Sequence, residues 1–457
     1  MRIRQSGDSL LQQLSQQLSG NADLAQKELG RGADGVHMLY LKSMSDSSIV
    51  SRYVITPFYE MKDILAYESY IENYPGTTVG KDEKTLLENV LKGFICLEFE
   101  NGHIYLFEAN KNESSPVSDG QTEVIVQGPS DAFTENLQVN INLIRHRYQS
   151  EHLKAELTVV GAKSRTRVAI MYDDVRVDKA ILEELRVRLE GIKVDLIQGA
   201  GELDKHLSDT KHRLFPTVVV TERPDRAVFN LSEGKILLVV DTTGYVVILP
   251  SIFNDYLTAM DDKLQLPISG WFLKTIRYFG LIISTILPAI YVAFTSFNPE
   301  VWKVQIALLV AGSRASVPYP SYLEVFIMLV LMEFLTEASL RLPKSIGPTA
   351  TTVGGLILGT AATEAGLVSN IMIIIVSAVA ISNFVIPLNM MMYSIRVMKY
   401  FFIIFAAVFG LLGIVLGLVG VVMYLCSLRS FGKPYFKIFA LDQWANRVQG
   451  GKENGQK

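Results

Sequence analysis

Cysteine is almost missing from this 457-residue chain: only Cys96 and Cys426 occur. One falls in a charge-rich front half and the other in the last apolar run, so no disulfide is expected, and reduced thiols suit a cytosolic front half. Excess charge of one sign is also missing. A net charge of −3 leaves no electrostatic footprint for nucleic acid. The histidines, His37, His103, His146, His152, His206 and His212, show no metal-ligand spacing with cysteine or with one another and are expected at the surface. No phosphate-binding glycine loop and no nucleophile elbow occurs, so catalysis, a cofactor and a bound metal are not expected. The opening MRIRQSGDSLLQQLSQQLSG has no apolar core long enough for a signal peptide, which keeps the front half in the cytoplasm. No internal repeat suggests an inverted-repeat transporter.

The most informative scarcity is local. Between Tyr278 and Leu428 the only charged residues are Glu300, Lys303, Arg314, Glu324, Glu333, Glu337, Arg341, Lys344, Glu364, Arg396 and Lys399. Before Leu264 charges are frequent. The expected fold class is therefore an α+β/α/β soluble N-terminal region followed by an all-α membrane domain of four to six membrane elements. The expected divisions are a soluble subdomain at 1–125, a connecting helix at 126–154, an α/β subdomain at 155–264, a transmembrane helical domain at 265–430 and a polar tail at 431–457.

Leu10, Leu11, Leu14 and Leu18 recur at helical spacing, and Val36 to Leu41 reads as a strand. Thr85 to Leu91 reads as a helix, and the runs on either side of Asn101-Gly102 as a hairpin. Asn112 to Gly120 is a polar connection. Ser130 or Asp131 caps an expected helix running to Arg147, with Phe133, Leu137, Ile141 and Ile144 on one face. Strands are expected at Val168 to Tyr172, Val194 to Ile197, Val218 to Thr221 and Ile236 to Asp241. Helices are expected at Lys179 to Leu189 and Pro224 to Leu231.

In the apolar half, Lys274 and Arg277 precede an uncharged run from Tyr278 to Pro299 and place its start inside, with a kink expected at Pro288. Val304 to Gly312 is too short to span and reads as re-entrant or interfacial. Tyr322 to Ser339 is an acidic helix, and Thr349 to Thr363 is glycine-rich. Gly366 to Met392 and Tyr400 to Leu428 read as spans. The basic residues Arg396 and Lys399, and Arg429, Lys433 and Lys437, flank both ends of the last one, which a single crossing does not reconcile with the positive-inside rule.

Acids inside a membrane are costly and normally face a bundle interior or a watery path. Glu333, Glu337 and Arg341, at i, i+4 and i+8, share one helix face and are candidates for an ion pathway or a gating ion pair; the plain reading is a polar cluster near headgroups. Glu324, at the other end, is a further candidate or is simply interfacial. Gly355 with Gly359, and Gly413 with Gly417, form GxxxG pairs that favour close helix packing. Pro318-Tyr319-Pro320 and Leu342-Pro343 punctuate the acidic helix, and Met390 to Met392 reads as a packing face.

The blocks QGPSDAF (Gln127 to Phe133), NLIRHR (Asn142 to Arg147), TERPDR (Thr221 to Arg226), SVPYPSYLEVFIM (Ser316 to Met328), RLPKSIG (Arg341 to Gly347), EAGLVS (Glu364 to Ser369) and SFGKPYF (Ser430 to Phe436) resemble, in order, the GerA family of bacterial spore germination proteins, specifically the A-type subunit of nutrient germinant receptors. The resemblance implies an integral protein of the spore inner membrane with a cytoplasmic N-terminal region of two subdomains. It implies a B-type transporter-like subunit and a C-type lipoprotein as partners. It also implies a homo-oligomer, a pentamer, forming a nutrient-gated monovalent cation channel. The chain departs from many members at Ala315, Leu329 and Pro348. The competing expectations are a secondary transporter, or a non-conducting assembly subunit that includes the stage V sporulation AF type.

Overall fold

The structure is a computed structural model that describes residues 10–31, 34–80, 82–110, 120, 122–123, 128–209, 213–343 and 346–436. The expected connection at Asn112 to Gly120 lies outside these apart from Gly120, and so do His212, Lys344 and the tail from residue 437. The chain forms two compact units. The first holds 1–125, 129–211 and 218–251; the second holds 126–128, 212–217 and 252–457.

The first unit contains two sheets. The first sheet is built from α1 (Leu10–Gln17), β1 (Leu24–Arg31), β2 (Asp34–Leu41), α2 (Ser47–Ile49), a π-helical turn (Val50–Ile55), α3 (Thr56–Glu60), α4 (Ile64–Glu72), β3 (Thr78–Val79), α5 (Glu83–Leu91), β4 (Phe94–Phe99) and β5 (Ile104–Glu108). The strand order is β1-β2-β4-β5-β3, antiparallel throughout. Alternation along β2 sends side chains to opposite faces. Val36, Met38 and Tyr40 meet Val50, Val54, Phe58, Tyr67 and Ile71. Leu39 and Leu41 meet Leu11, Leu14, Leu86 and Val90. Cys96 lies in that second core, where burial pushes its thiol up to about 12, so it is inert.

The second sheet follows α6 (Leu137–Arg147). It comprises β6 (Leu153–Val160), β7 (Thr166–Asp173), α7 (Lys179–Glu190), α8 (Ala200–Leu207), β8 (Val219–Thr221), α9 (Pro224–Ser232), β9 (Ile236–Val240) and β10 (Val246–Leu249). Its order is β6-β7-β9-β10-β8, again antiparallel. Every residue of β9 and β10 is buried, which explains the unbroken apolar runs ILLVV and VVIL.

Two expectations fail here for local reasons. The helix ending at Arg147 begins at Leu137, because the Asn136 side chain caps it by accepting from Gln138 and Val139 N–H. Phe133 therefore precedes the helix, its N–H bonded to Glu222 O at 2.8 Å. Val194 to Ile197 is not a strand. Its carbonyls instead accept from Ala162 N–H, Lys163 N–H and the Thr166 hydroxyl, so a turn takes the bonds a ladder would need.

The second unit is helical: α10 (Asp261–Leu264), α11 (Pro267–Ser296), α12 (Val304–Arg314), α13 (Ser321–Arg341), α14 (Gly347–Glu364), α15 (Asn370–Phe384) and α16 (Asn389–Ser427). α11 runs continuously through Pro288. α11 and α16 are long and apolar enough to cross a membrane; α12 and α15 are shorter apolar helices. α13 and α15 run antiparallel to α11. The Ser296 and Ser321 hydroxyls meet, Tyr291 reaches Glu324 and Ser369, and Ser284 donates to Asn383. α14 returns along α13, with Gly347 near Ser339 and Gly355 near Leu335.

The expected span from Gly366 to Met392 is broken at residues 385–388, where Pro387 removes a helix donor, and α16 starts at Asn389. The last apolar run therefore begins well before Tyr400, and Arg396 and Lys399 lie inside a helix rather than flanking one. Nor is α16 one rod. Gly410 has φ 60° and ψ −139°, a region essentially confined to glycine. A Cβ on Gly413 would lie 2.1 Å from Phe405 O, and one on Gly417 would lie 3.2 Å from the Phe402 ring. A straight helix separates positions eight apart by about 12 Å. The chain thus folds back at Gly410 into two arms, 389–409 and 411–427.

Both open ends of this hairpin meet residues 213–216. Met390, Tyr393, Ser394 and Val397 line a cavity with them, and the Tyr424 hydroxyl accepts from Leu214 N–H at 2.9 Å. Phe297, at the end of α11, packs at the Gly410 turn. Beyond the hairpin, β11 (Arg429–Ser430) and β12 (Lys433–Pro434) form a two-stranded clasp. The Ser430 hydroxyl donates to Thr217 O, and Tyr435 is fully buried against Phe253 and Tyr256. The first residues of the expected polar tail, up to Phe436, are thus packed against the second unit.

Candidate functional site

α13 starts directly after Pro320 and stops at Leu342, the residue before Pro343, where the helical region is disfavoured. Its acids do not share one environment. Nine residues separate Glu324 from Glu333, which places them on faces about 180° apart.

Glu324 faces α11 and α15 and is only 1 % exposed. Its Oε1 accepts both the amide and the hydroxyl of Ser369 at 2.8 Å. Its Oε2 lies 3.3 Å from Arg314 Nε and 3.5 Å from the Tyr291 hydroxyl. Ser369 caps α15 by accepting from Met372 N–H. One carboxylate therefore joins α11, α13, the end of α12 and the start of α15.

Glu333 faces the first arm of α16. Its Oε2 accepts from Arg396 Nε at 2.6 Å and also from Arg396 Nη2, and its Oε1 accepts from Lys399 Nζ at 2.5 Å. Arg396 and Lys399 are three apart and so share a helix face. Tyr393 stacks on Arg396 and Tyr400 on Lys399. One carboxylate against two cations leaves this cluster with an excess of one positive charge. Glu333 is a bound counter-ion here, not an open one.

Glu337 pairs with Arg341 at 2.8 Å along the same helix, and their side chains are 53 % and 77 % exposed. Of the three acids on α13 it is the accessible one. A pair this exposed contributes roughly 0.3–0.5 kcal/mol and opens readily.

Gly413 and Gly417 stand at close approaches to the opposite arm of their own hairpin, whereas a Cβ on Gly355 or Gly359 would make ordinary contact, at 3.5 Å with Leu335 and 3.7 Å with Ile373.

Sequence spacing brought Glu333, Glu337 and Arg341 to one face but missed Arg314, Tyr291, Ser369, Arg396 and Lys399. Arg396 and Lys399 carried a signal: two cations at helical spacing, each beside a tyrosine, in an apolar run.

In the first unit, the blocks NLIRHR and TERPDR are interior clasps. Arg145 is buried and donates to Asp23 at 2.8 Å and Asn21 at 3.0 Å, while Asn142 donates to Ser43 O. These bonds tie α6 to the turns bounding the first sheet. Glu222 accepts from the Thr122 and Glu123 amides, Arg223 pairs with Asp225, and Arg226 lies 3.2 Å from Glu123.

The architecture is mixed: a two-sheet α/β front followed by a helical unit in which α11 and α16 are, by length and composition, apolar enough to cross a membrane. The family described as Bacillus/Clostridium GerA spore germination protein matches residues 12–449. Spore germination protein KA of Bacillus subtilis (strain 168) is 32 % identical, over 93 % of this chain and 80 % of its own length. Spore germination protein A1 of the same organism is 32 % identical, over 88 % and 83 %. The N-terminal domain of the A subunit of the Bacillus megaterium spore germinant receptor GerK3 aligns at 21 % identity over 53 % of this chain and 94 % of its own, with a TM-score of 0.39. The chain belongs to the GerA family of spore germination proteins, and its likeness is to the A-type receptor subunits within it.

Proposed function

We propose that this chain is a nutrient-receptor subunit that oligomerises into a nutrient-gated monovalent cation channel in the spore inner membrane, with the first unit on the cytoplasmic side. It works with a B-type transporter-like subunit and a C-type lipoprotein. The second unit supplies the membrane elements: α11, α13, α14, α15 and the two arms of α16 alternate in direction, with α12 as a short interfacial element. In this topology the two ends of the α16 hairpin emerge on one side, which reconciles Arg396 and Lys399 with Arg429 under the positive-inside rule.

The observation that carries the channel reading is Glu337, the one of the three α13 carboxylates that is exposed. Repeated around a symmetric assembly, such acids form a ring that attracts cations. Glu333, neutralised by Arg396 and Lys399, serves as a gating latch, and Glu324 as a fixed joint. The test is potassium release from liposomes holding the complete receptor, with and without nutrient, for wild type and Glu337→Gln. Nutrient-dependent release that falls in the variant supports this reading. Undiminished release moves the pathway away from Glu337, and no release from an intact complex favours a non-conducting assembly subunit.

A further inference from the structure

The cavity between residues 213–216 and the first turns of α16 has a volume of about 330 Å³, at the small end of ligand pockets, which run roughly 300–1,000 Å³. Leu214, Phe215, Pro216, Met390 and Val397 make most of its wall apolar; Arg213 is its one charged side chain. A guanidinium carries five N–H donors and can serve a phosphate while keeping a protein partner; here it donates to the Thr217 hydroxyl.

The cavity runs along one face of the first turns of α16, which carries Met390, Tyr393, Ser394 and Val397. It also shares Tyr393 with the charge cluster: this ring lines the cavity and stacks on Arg396, 5.5 Å from its centroid. Among the described residues, Glu333 is the carboxylate within ion-pair distance of Arg396 and of Lys399, so one positive charge beside the cavity lacks a counter-ion. An uncompensated charge among apolar helices is costly, and an anion next to it relieves that cost.

We infer that this cavity binds an anionic phospholipid, its phosphate against Arg213 on the side facing the Arg396 cluster and its glycerol and upper acyl carbons against Phe215, Pro216 and Val397. The inference rests on the reading of the second unit as membrane-embedded. A lipid is the occupant to which the wall points, because a free phosphate would leave the apolar side unfilled.

The test is native mass spectrometry of the full chain released from micelles containing equal dioleoyl phosphatidylglycerol and dioleoyl phosphatidylcholine. Wild type is expected to retain phosphatidylglycerol in preference, by about fivefold per engaged basic residue. Arg213→Gln is expected to remove the preference, and Val397→Trp, which fills the cavity while leaving the charges, to lower retention. Equal retention of the two lipids by wild type, or unchanged retention in both variants, overturns the site. Carbonate-resistant insertion into vesicles is measured alongside. A chain that inserts without lipid preference overturns this site alone, and a chain that does not insert overturns the membrane reading and this site together.

Discussion

Glu324 caps a helix to which it does not belong: its Oε1 holds both the amide and the hydroxyl of Ser369, at the start of α15, at 2.8 Å. Removing the carboxylate also takes the counter-charge from Arg314, leaving it its bond to Tyr319 O. Glu324→Ala is expected to destabilise the second unit by about 3–5 kcal/mol, the cost of breaking one side of a buried pair. Glu324→Gln keeps an acceptor for Ser369 and is expected to cost less. Thermal unfolding of the detergent-solubilised chain reads both, and an alanine variant melting with wild type would refute the joint.

The other two acids on α13 should separate sharply. Glu333→Gln leaves two shielded cations facing one neutral amide and is expected to cost several kcal/mol. Glu337→Gln removes an exposed pair and is expected to cost under about 0.5 kcal/mol. Equal losses in the two variants would mean that the exposures of these carboxylates are misassigned.

The reversal at Gly410 has a direct ruler. Cys426 is exposed and Cys96 is buried, so Cys426 is the thiol that labels. With Val397→Cys added, electron spin resonance is expected to give a separation below about 25 Å, whereas 29 residues of straight helix would span about 44 Å. A distance near the longer figure rules out the hairpin. Gly410→Ala forces a side chain into a glycine-only conformation and against Phe297, and should lengthen or broaden the distribution.

Acid should loosen the β4–β5 turn through Glu68. Burial works to raise this carboxyl, but hydrogen bonds from Asn101, His103 and Tyr105 outweigh it and hold it below its ordinary value of 4.5. A lowered folded value contributes stability above the unfolded pKa and loses it as pH falls through the folded one. Protection of the Asn101–Tyr105 amides from hydrogen exchange is therefore expected to weaken between about pH 5 and the lowered folded value, since unfolded glutamate titrates near 4.3. Glu68→Gln should be weaker at neutral pH and flat across that range. A wild type as flat as the variant would count against the cluster.

Local patterning carried much of the architecture. The leucines of α1, the proline start of α9, the hairpin at Asn101-Gly102 and the ends of α13 were all legible, because each rests on spacing or on one residue's backbone preference. What was illegible depends on distant partners. The bonds that would have made Val194 to Ile197 a strand are taken by the turn at 161–166. The hairpin in α16 looked like a single span because one glycine in an apolar run carries no hydropathy signal. The site was half readable: the face bearing Glu333 and Glu337 follows from period, but Arg396 is 63 residues from its partner Glu333. Spacing also grouped Glu337 with Glu333, although one is open and the other is enclosed.

The contact between Arg145 and Asp23 constrains how this family can recombine. The two sheets look separable in sequence, with a polar connection between them. Yet a chimera joined there inherits Asn21, Asp23 and Ser43 from one parent and Asn142 and Arg145 from the other. If either parent differs at these positions, the hybrid encloses a charge without its mate, and a crossover that looks innocuous on the page becomes a lethal one.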